Sequence, residues 1–404
     1  MEWWVLGVVP PLIALIYFVA LAPERAGAQE RGREALRQSG VTVEWEATGA
    51  SHRMRGHVTD RPHLRVTTEE HMEGVNVAVG GLAAVGPLGL ARRGPHRLVA
   101  EPGVTTGDPA FDRAVRVTGP PALALARLDA ETRRRVLDTF PAGGTLEQGT
   151  LRAFFAGDTL GRRELFGTLV ELACRLDHPC DTQAALAASA AGDPLPGVRR
   201  LSLGLLASEF PGATSTRQTL LVARNDSRKP VALAAAVALG AEGQDTLRRL
   251  ARDPHDDETA AAAIAALGPS LPGAELLQIF GSARGRPHTT LACIAAVAAQ
   301  PESSLVAHAE SLLIDALQGP DERVPEAAAR VLAQVGTSAA VLPLREAARG
   351  GAGALPGLAR AAADAIQARL RGAAPGQVSL APGAAGEVSL TGDASGRVSV
   401  AKKD

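Results

Sequence analysis

The pattern of hydrophobic and polar positions changes several times along the chain, and the first segment is apolar throughout. The 20 residues from Trp3 to Ala22 carry no charged side chain. A helix rises about 1.5 Å per residue, so this one would span about 30 Å, the thickness of the hydrocarbon core of a bilayer. Trp4 and Tyr17 lie towards the two ends, where amphipathic rings prefer the membrane interface. We predict a transmembrane helix over residues 3–22.

A cleaved signal peptide is the alternative interpretation of this segment. Signal peptides begin with positive charge and have a shorter apolar stretch, whereas only Glu2 precedes this one, although Ala26-Gly-Ala28 resembles a cleavage site. Four arginines follow the segment and none precedes it: Arg25, Arg31, Arg33 and Arg37. Positive residues mark the cytoplasmic side. We therefore expect a single-pass protein of the inner (cytoplasmic) membrane with the bulk of the chain in the cytoplasm.

Residues 36–178 alternate between short stretches of period two and stretches of period three to four, which predicts an α+β domain. Period two predicts strands at Val41–Glu46, Arg53–Val58, His63–Thr67, Val75–Val79, Val115–Thr118 and Leu151–Phe155. The longer period predicts helices at Ala122–Phe140 and Glu164–Leu176.

From Pro196 to Gly372 the pattern becomes one short amphipathic helix after another. Helix ends recur at intervals of 28 to 36 residues, and each interval holds two helices. The recurring ends are Gly212, Gly240, Gly268, Gln300, Gly336 and Gly372. We expect the glycines to end their helices with positive φ angles. Such pairs bury their apolar faces only by stacking, which predicts an all-α solenoid over residues 196–372.

This region resembles HEAT repeats, including the short HEAT-like repeats of bilin lyases. The likeness lies in Pro196-Gly-Val198-Arg199, and in Asp321-Glu-Arg-Val324 followed by alanines. Ala232 and Pro325 stand where the family has an arginine after the valine, so its Asp–Arg ladder is mostly absent. The resemblance implies a repeat architecture, which serves many unrelated functions.

A second, shorter resemblance concerns the run Gly107-Asp108-Pro-Ala-Phe111-Asp112. It is similar to a pattern in uncharacterised bacterial membrane proteins that have one N-terminal anchor and a cytoplasmic α+β domain. The resemblance implies no activity. Asp108 before a proline favours a turn, and Phe111 is expected in the core. An acid/base pair of Asp108 and Asp112 is the alternative, but no nucleophile or metal ligand stands nearby.

The tail, residues 373–404, repeats with a period of ten. Gly376-Gln-Val-Ser-Leu, Gly386-Glu-Val-Ser-Leu and Gly396-Arg-Val-Ser-Val are its three units. Alternation within each unit favours a short strand. A small sheet, pairing with another sheet edge and a flexible tail all remain open.

Composition narrows the possible functions. There are 42 Lys+Arg against 43 Asp+Glu, and aromatic residues are 3% of the chain. Neither an attractive field for nucleic acid nor a set of stacking platforms is present, so we expect no nucleic-acid partner. Three cysteines do not make a disulfide framework and favour a reducing compartment. The arginine- and alanine-rich, lysine-poor composition suggests a high-GC bacterial genome.

Four groups of residues were weighed as metal or nucleotide sites, and each has a simpler interpretation. They are the histidines His52, His57, His63 and His71; the set Cys174, His178 and Cys180; the acidic run 253–258; and the glycine-rich segment 80–94. The histidines and cysteines lack the spacing of zinc ligands. The acidic run lacks the glycine of a calcium loop and suits a helix N-terminus. The glycines fit no phosphate-binding motif.

These observations predict a scaffold rather than an enzyme. We predict no catalytic residue, cofactor or metal, and a protein partner of unknown identity bound through the solenoid. The alternatives are an enzyme of the bilin-lyase type and a structural envelope protein. Cys293, in the apolar helix Leu-Ala-Cys-Ile-Ala-Ala, should be buried and inert.

Overall fold

The computed structural model describes residues 43–46, 53–71, 74–93, 103–140, 144–156, 163–300, 304–350, 352–371, 378–380 and 388–390. Contacts divide the chain into two compact units, Met1–Ala223 and Arg224–Asp404, called below the N-terminal unit and the C-terminal unit. The predicted membrane helix at 3–22 lies outside the described residues. Of the helices that are described, none has both the length and the apolarity to cross a bilayer.

An eight-stranded antiparallel sheet is the framework of the N-terminal unit, in the order β1-β2-β3-β4-β8-β7-β5-β6. The strands are β1 Val43–Glu46, β2 Arg53–Val58, β3 Arg61–His71, β4 Gly74–Gly80, β5 Gly89–Arg92, β6 Val115–Thr118, β7 Thr145–Glu147 and β8 Thr150–Ala156. Leu64 and Val66 of β3 are fully buried, whereas Arg65 between them is exposed. Period-two alternation therefore gives the sheet one apolar face.

Helices complete the N-terminal unit, and the first four of them contribute the rest of this core. The helices are α1 Pro109–Ala114, α2 Pro121–Arg127, α3 Ala130–Thr139, α4 Arg163–Leu176, α5 Thr182–Gly192, α6 Pro196–Glu209 and α7 Thr214–Ala223. Leu169, Val170 and Leu172 of α4 join the apolar cluster formed by the sheet. The mostly helical C-terminal part and the smaller N-terminal sheet confirm the broad fold class.

One local prediction in the N-terminal unit was wrong, and two strands were missed. The helix predicted at Ala122–Phe140 is two helices, because Asp129 accepts a hydrogen bond from the Thr132 backbone N–H and starts α3 afresh. The turn predicted at Asp108 is present, since Oδ1 accepts from the Ala110 backbone N–H, and Asp108 is also the N-cap of α1; Phe111 is fully buried as expected. Strands β5 and β7 were missed because each has a single buried residue, Leu90 and Leu146, and so lacks the alternation that β6 shows over four residues.

Arg133 is the largest fully buried side chain of the described residues, with 2% of its surface exposed. Its Nε lies 3.1 Å from Oδ2 of Asp108, and its Nη2 lies 3.1 Å and 3.0 Å from the two carboxylate oxygens of Asp193. Its Nη1 donates to the Leu128 carbonyl at 2.8 Å. A buried guanidinium is tolerated only when its charge and donors are matched in this way.

The partners of Arg133 come from separate elements. Asp108 caps α1, and Asp193 follows α5, where its carboxylate also accepts from the Leu195 backbone N–H before α6. The ion cluster thus ties α3 to the starts of α1 and α6. It explains why α6, with which the predicted solenoid begins at Pro196, belongs to the N-terminal unit.

A close approach of two glycines supports the same junction. Gly107 has a φ of +87°, and a Cβ there would stand 2.5 Å from the carbonyl carbon of Gly197. A Cβ on Gly197 would stand 2.4 Å from the Gly107 oxygen. Only glycine at both positions lets the loop before α1 lie against the first turn of α6.

Helices alternate between two layers in the C-terminal unit, a packing that fits an α-solenoid. Helices α8, α10, α12, α14 and α16 contact one another in succession, and α11, α13 and α15 do the same beside them. Their bounds, with that of α9, are α8 Lys229–Leu239, α9 Gln244–Ala251, α10 Asp257–Leu267, α11 Gly273–Ser282, α12 Pro287–Ala298, α13 Ser304–Ala316, α14 Arg323–Val335, α15 Ser338–Gly350 and α16 Leu355–Arg371. Fully buried alanines such as Ala263, Ala309 and Ala359 allow these helices to approach closely.

Helices end within three residues of Gly212, Gly240, Gly268, Gln300 and Gly336, whereas Gly372 lies outside the described residues. Not all of the glycines have the predicted positive φ. Gly240 and Gly268 follow α8 and α10 with φ angles of 59° and 47°. Gly336 follows α14 with a φ of −63°, so it does not adopt a positive φ. A Cβ on Gly336 would meet the Leu332 oxygen at 2.6 Å, which is the reason that glycine suits this position.

Two of the three tail units pair with each other. Strands β9 Val378–Leu380 and β10 Val388–Leu390 form a separate antiparallel sheet, with Ser379 opposite Ser389. This arrangement agrees with the small sheet among the predicted alternatives. The third unit, at Gly396, lies outside the described residues.

Replacing Arg133 tests the role of the ion cluster. We expect Arg133→Ala to lower the free energy of unfolding of the N-terminal unit by about 3–5 kcal/mol, because two carboxylates lose their buried counter-charge. Urea unfolding followed by the fluorescence of Trp45 on β1 measures it, with Trp3 and Trp4 of the predicted membrane helix replaced by phenylalanine.

The control is Arg134→Ala on the same helix, whose side chain is 60% exposed and pairs with Glu131. It should leave the unfolding curve close to that of the wild type. Equal losses for the two variants would show that the buried cluster is not what stabilises this unit.

Candidate functional site

The histidines singled out in the sequence do not come together as metal ligands. His57 lies on β2, His63 and His71 lie on β3, and His52 is outside the described residues. The His63 Nε2 lies 2.6 Å from Oδ2 of Asp177, which follows α4. Within the described ranges, no group of three or more His, Cys, Asp or Glu residues is placed to hold a metal ion.

Asp177 was not a candidate in the sequence, yet its carboxylate contacts two residues of β3 and the segment that follows β4. In addition to the contact with His63, its Oδ2 lies 3.8 Å from Nη1 of Arg61. Its Oδ1 accepts from the Ala84 backbone N–H at 3.4 Å. Arg61 also donates to the Cys174 carbonyl at 2.5 Å. His63 and Asp177 are 114 positions apart in the sequence, which explains why no sequence motif shows this pair.

Cys174, His178 and Cys180 each have separate surroundings. Burial raises the pKa of the Cys174 thiol, which lowers its nucleophilicity at neutral pH. The Cys180 Sγ donates to the Ala126 carbonyl at 3.7 Å, and His178 contacts the Pro179 carbonyl. The three side chains do not converge on a common point.

Asp108 and Asp112 are both used by local structure. Asp108 accepts from the backbone N–H groups of Ala110 and Phe111 in addition to Arg133. Asp112 accepts from Thr106, through its backbone N–H at 2.9 Å and its hydroxyl at 2.8 Å. These contacts account for both carboxylates as capping and loop-closing groups.

The acidic run 253–258 forms the turn and the N-terminus that its composition indicates. Asp256 caps α10 by accepting from the Thr259 backbone N–H at 3.0 Å. Asp253 lies 2.7 Å from the Lys229 Nζ at the start of α8. Its hydrogen bond from Lys229 is the main reason that its pKa is lowered.

Asp257 has a role that the sequence did not reveal, because it caps the helix of the next repeat. Helix α12 has no side-chain cap of its own at Arg286. The Asp257 carboxylate accepts instead from the backbone N–H groups of His288 at 2.9 Å and Thr289 at 2.8 Å. Glu310 of α13 does the same for Thr337 ahead of α15, at 2.6 Å. These carboxylates link successive repeats where the Asp–Arg ladder of HEAT repeats is missing.

These contacts govern the titration of Asp257. Burial acts to raise its pKa, but the hydrogen bonds from Thr289 and His288 outweigh burial and hold the pKa below its usual value. The carboxylate therefore stays ionised over the physiological range and interacts favourably with the positive end of α12.

A cleft of about 630 Å³ opens at the turns of the C-terminal unit and is the best candidate for a binding site. We call it the Arg284 cleft. It lies between the α11–α12 and α13–α14 turns, with Phe280, Leu312 and Val324 among its apolar lining residues. Arg284 and Asp315 stand at its rim, 3.2 Å apart. The sequence could not indicate this cleft, because its walls come from two different repeats.

No protein-family model, curated protein or solved structure matches this chain. The resemblance to HEAT repeats therefore stays a prediction.

Removing the cross-repeat cap should destabilise the C-terminal unit in a pH-dependent way. We expect Asp257→Ala to reduce its stability by about 1 kcal/mol at pH 7, the usual effect of losing a cap. A carboxylate whose pKa is lower in the folded state than in the unfolded state stabilises the folded state fully when the pH is above the unfolded pKa of about 4. This stabilisation is lost as the pH falls through the pKa of the folded state. The difference from wild type should therefore shrink between pH 5 and pH 3.

Thermal unfolding followed by circular dichroism at 222 nm measures this effect. Glu258→Ala is the matched control, because Glu258 is exposed in the same helical turn. A difference that is the same at every pH would contradict the assigned role of Asp257.

Cysteine labelling tests the packing of α12. Cys293 is 0% exposed and burial raises its pKa to about 12, whereas Cys174 and Cys180 are partly exposed. We expect maleimide to label Cys293 only at the rate of unfolding. Peptide mapping by mass spectrometry compares the three thiols in one molecule. Labelling of Cys293 as fast as Cys180 would show that α12 is not packed in this way.

Proposed function

We propose that the chain is a membrane-anchored cytoplasmic scaffold that binds a protein partner through a HEAT-like solenoid. The stacked helix pairs of the C-terminal unit, with an open cleft at their turns, are the observation that carries this proposal. Repeat arrays of this kind present extended surfaces and commonly serve protein binding.

The distribution of apolar surface supports binding at clefts. Among the described residues the large apolar side chains with high exposure are Val222, Val237 and Leu342, which are single positions on separate helices. Scattered residues of this kind are normal on a soluble surface. Recognition in the Arg284 cleft needs no wide apolar patch.

The buried thiol of Cys293 favours a scaffold over an enzyme of the bilin-lyase type. A nucleophilic cysteine requires access and a lowered pKa, and Cys293 has neither. The membrane part of the proposal rests on the apolar segment 3–22 and on the arginines that follow it.

Truncation after Ala223 tests the scaffold proposal. We expect chemically cross-linked native membranes to yield specific partners with the intact chain, and these partners to be lost with the truncated chain because it lacks the C-terminal unit. Affinity capture with identification by mass spectrometry compares the two lists. Both proteins should remain in the membrane fraction.

The control is the tryptophan fluorescence of the truncated protein, which should match that of the intact chain if the N-terminal unit remains folded. Identical lists of partners from a folded truncation would place recognition outside the C-terminal unit.

A further inference from the structure

A second cleft of about 510 Å³ adjoins the Arg284 cleft. We call it the Glu346 cleft. It lies between the α13–α14 and α15–α16 turns, and the two clefts share Gln318, Gly319 and Pro320 of the turn between them. A peptide bound across this turn would therefore contact both clefts.

The Glu346 cleft combines an apolar floor with negative charge. Leu317, Leu355 and Pro325 line it and are buried. Glu322 and Glu346 are its ionisable lining residues, and both are exposed. No positively charged residue of the described chain lines this cleft.

Neither carboxylate forms an ion pair with a residue that the structure describes. Arg345 and Arg349 share α15 with Glu346, but neither lines the cleft and neither forms an ion pair with it. Arg323, next to Glu322, is engaged by Asp321, and its hydrogen bond lowers the pKa of Asp321 to about 2. Glu322 and Glu346 are thus available to an external cation.

An arginine or lysine side chain matches this cleft. Its methylene groups can lie on an apolar floor while its charged end reaches a carboxylate. Hydrogen bonds between an ammonium or guanidinium group and a carboxylate are also about twice as strong as neutral ones.

The Arg284 cleft differs, because its two acidic lining residues are each paired with an arginine, while its Arg286 donates to the Asp253 carbonyl at 3.0 Å. Arg284 lies 3.2 Å from Asp315, and Asp321 lies 2.8 Å from Arg323. Its interior offers Phe280 and Val324, so it suits an apolar side chain.

The spacing of the helices sets the distance along a bound peptide between the side chain that enters the Arg284 cleft and the side chain that enters the Glu346 cleft. Packed helices lie about 8–10 Å apart, and an extended peptide advances about 3.3 Å per residue. Side chains that enter neighbouring clefts should therefore be about three residues apart.

We propose that the two clefts together bind an extended segment of a partner protein that carries an apolar residue and, about three positions away, an arginine or lysine. This inference rests on the proposed scaffold function and specifies its recognition site.

Fluorescence anisotropy with labelled peptides tests the proposal on the full-length protein in detergent. The probes are Gly/Ser peptides with one leucine and one arginine separated by one to five positions. We expect the tightest binding at a separation of three, and at least tenfold weaker binding to the E322Q/E346Q variant. The variant should not change the weaker binding of a probe in which glutamine replaces arginine. E258Q, an exposed glutamate on α10, should bind like the wild type.

Three results would overturn the proposal. The first is binding without a preferred separation, and the second is equal binding by the wild type and E322Q/E346Q. The third concerns the chain's own basic residues Arg397, Lys402 and Lys403. If a chain lacking residues 391–404 bound the probe at least tenfold more tightly than the full-length protein, the tail rather than a partner would be the occupant. If one of the first two results came together with intact capture of partners by the full-length protein, these clefts would be rejected and the scaffold function kept.

Discussion

The N-terminal unit depends on the compensation of one buried positive charge. Removing a guanidinium from water is costly, and Arg133 is tolerated only because two carboxylates and a carbonyl surround it. Those partners belong to the starts of α1 and α6 and to the link between α2 and α3. Because the geometry of an arginine fork is rigid, it fixes the positions of these elements relative to one another. The cluster consequently holds the sheet and its helices together with the packed helix pair α5 and α6.

Carboxylates play a corresponding part between the repeats of the C-terminal unit. Alanine-rich faces let the helices approach closely, but these faces are similar from one repeat to the next. Apolar packing alone therefore specifies only weakly how one helix is aligned against the next. Asp257 and Glu310 add directional hydrogen bonds to the helix that follows in the same layer. A hydrogen bond to a helix N-terminus is satisfied in one register only. These polar links therefore complement the unspecific apolar contacts.

Sequence patterns predicted the elements whose periodicity is long enough to be seen. Strands β2, β3, β4, β6 and β8 and the helix ends at Gly240 and Gly268 were found in this way. Patterns failed where a single side chain decides the structure, as Asp129 does in dividing α2 from α3. They also failed where distant segments meet. The Arg133 cluster, the His63–Asp177 pair and both clefts join residues from separate elements, so no local pattern could reveal them.

The tail shows how such a chain can change in length during evolution. Its strands β9 and β10 occupy equivalent positions in successive units, and they pair with serine opposite serine and valine opposite leucine. A tandem duplication or loss of one unit in the coding sequence would therefore preserve the strand length and the residues offered for pairing.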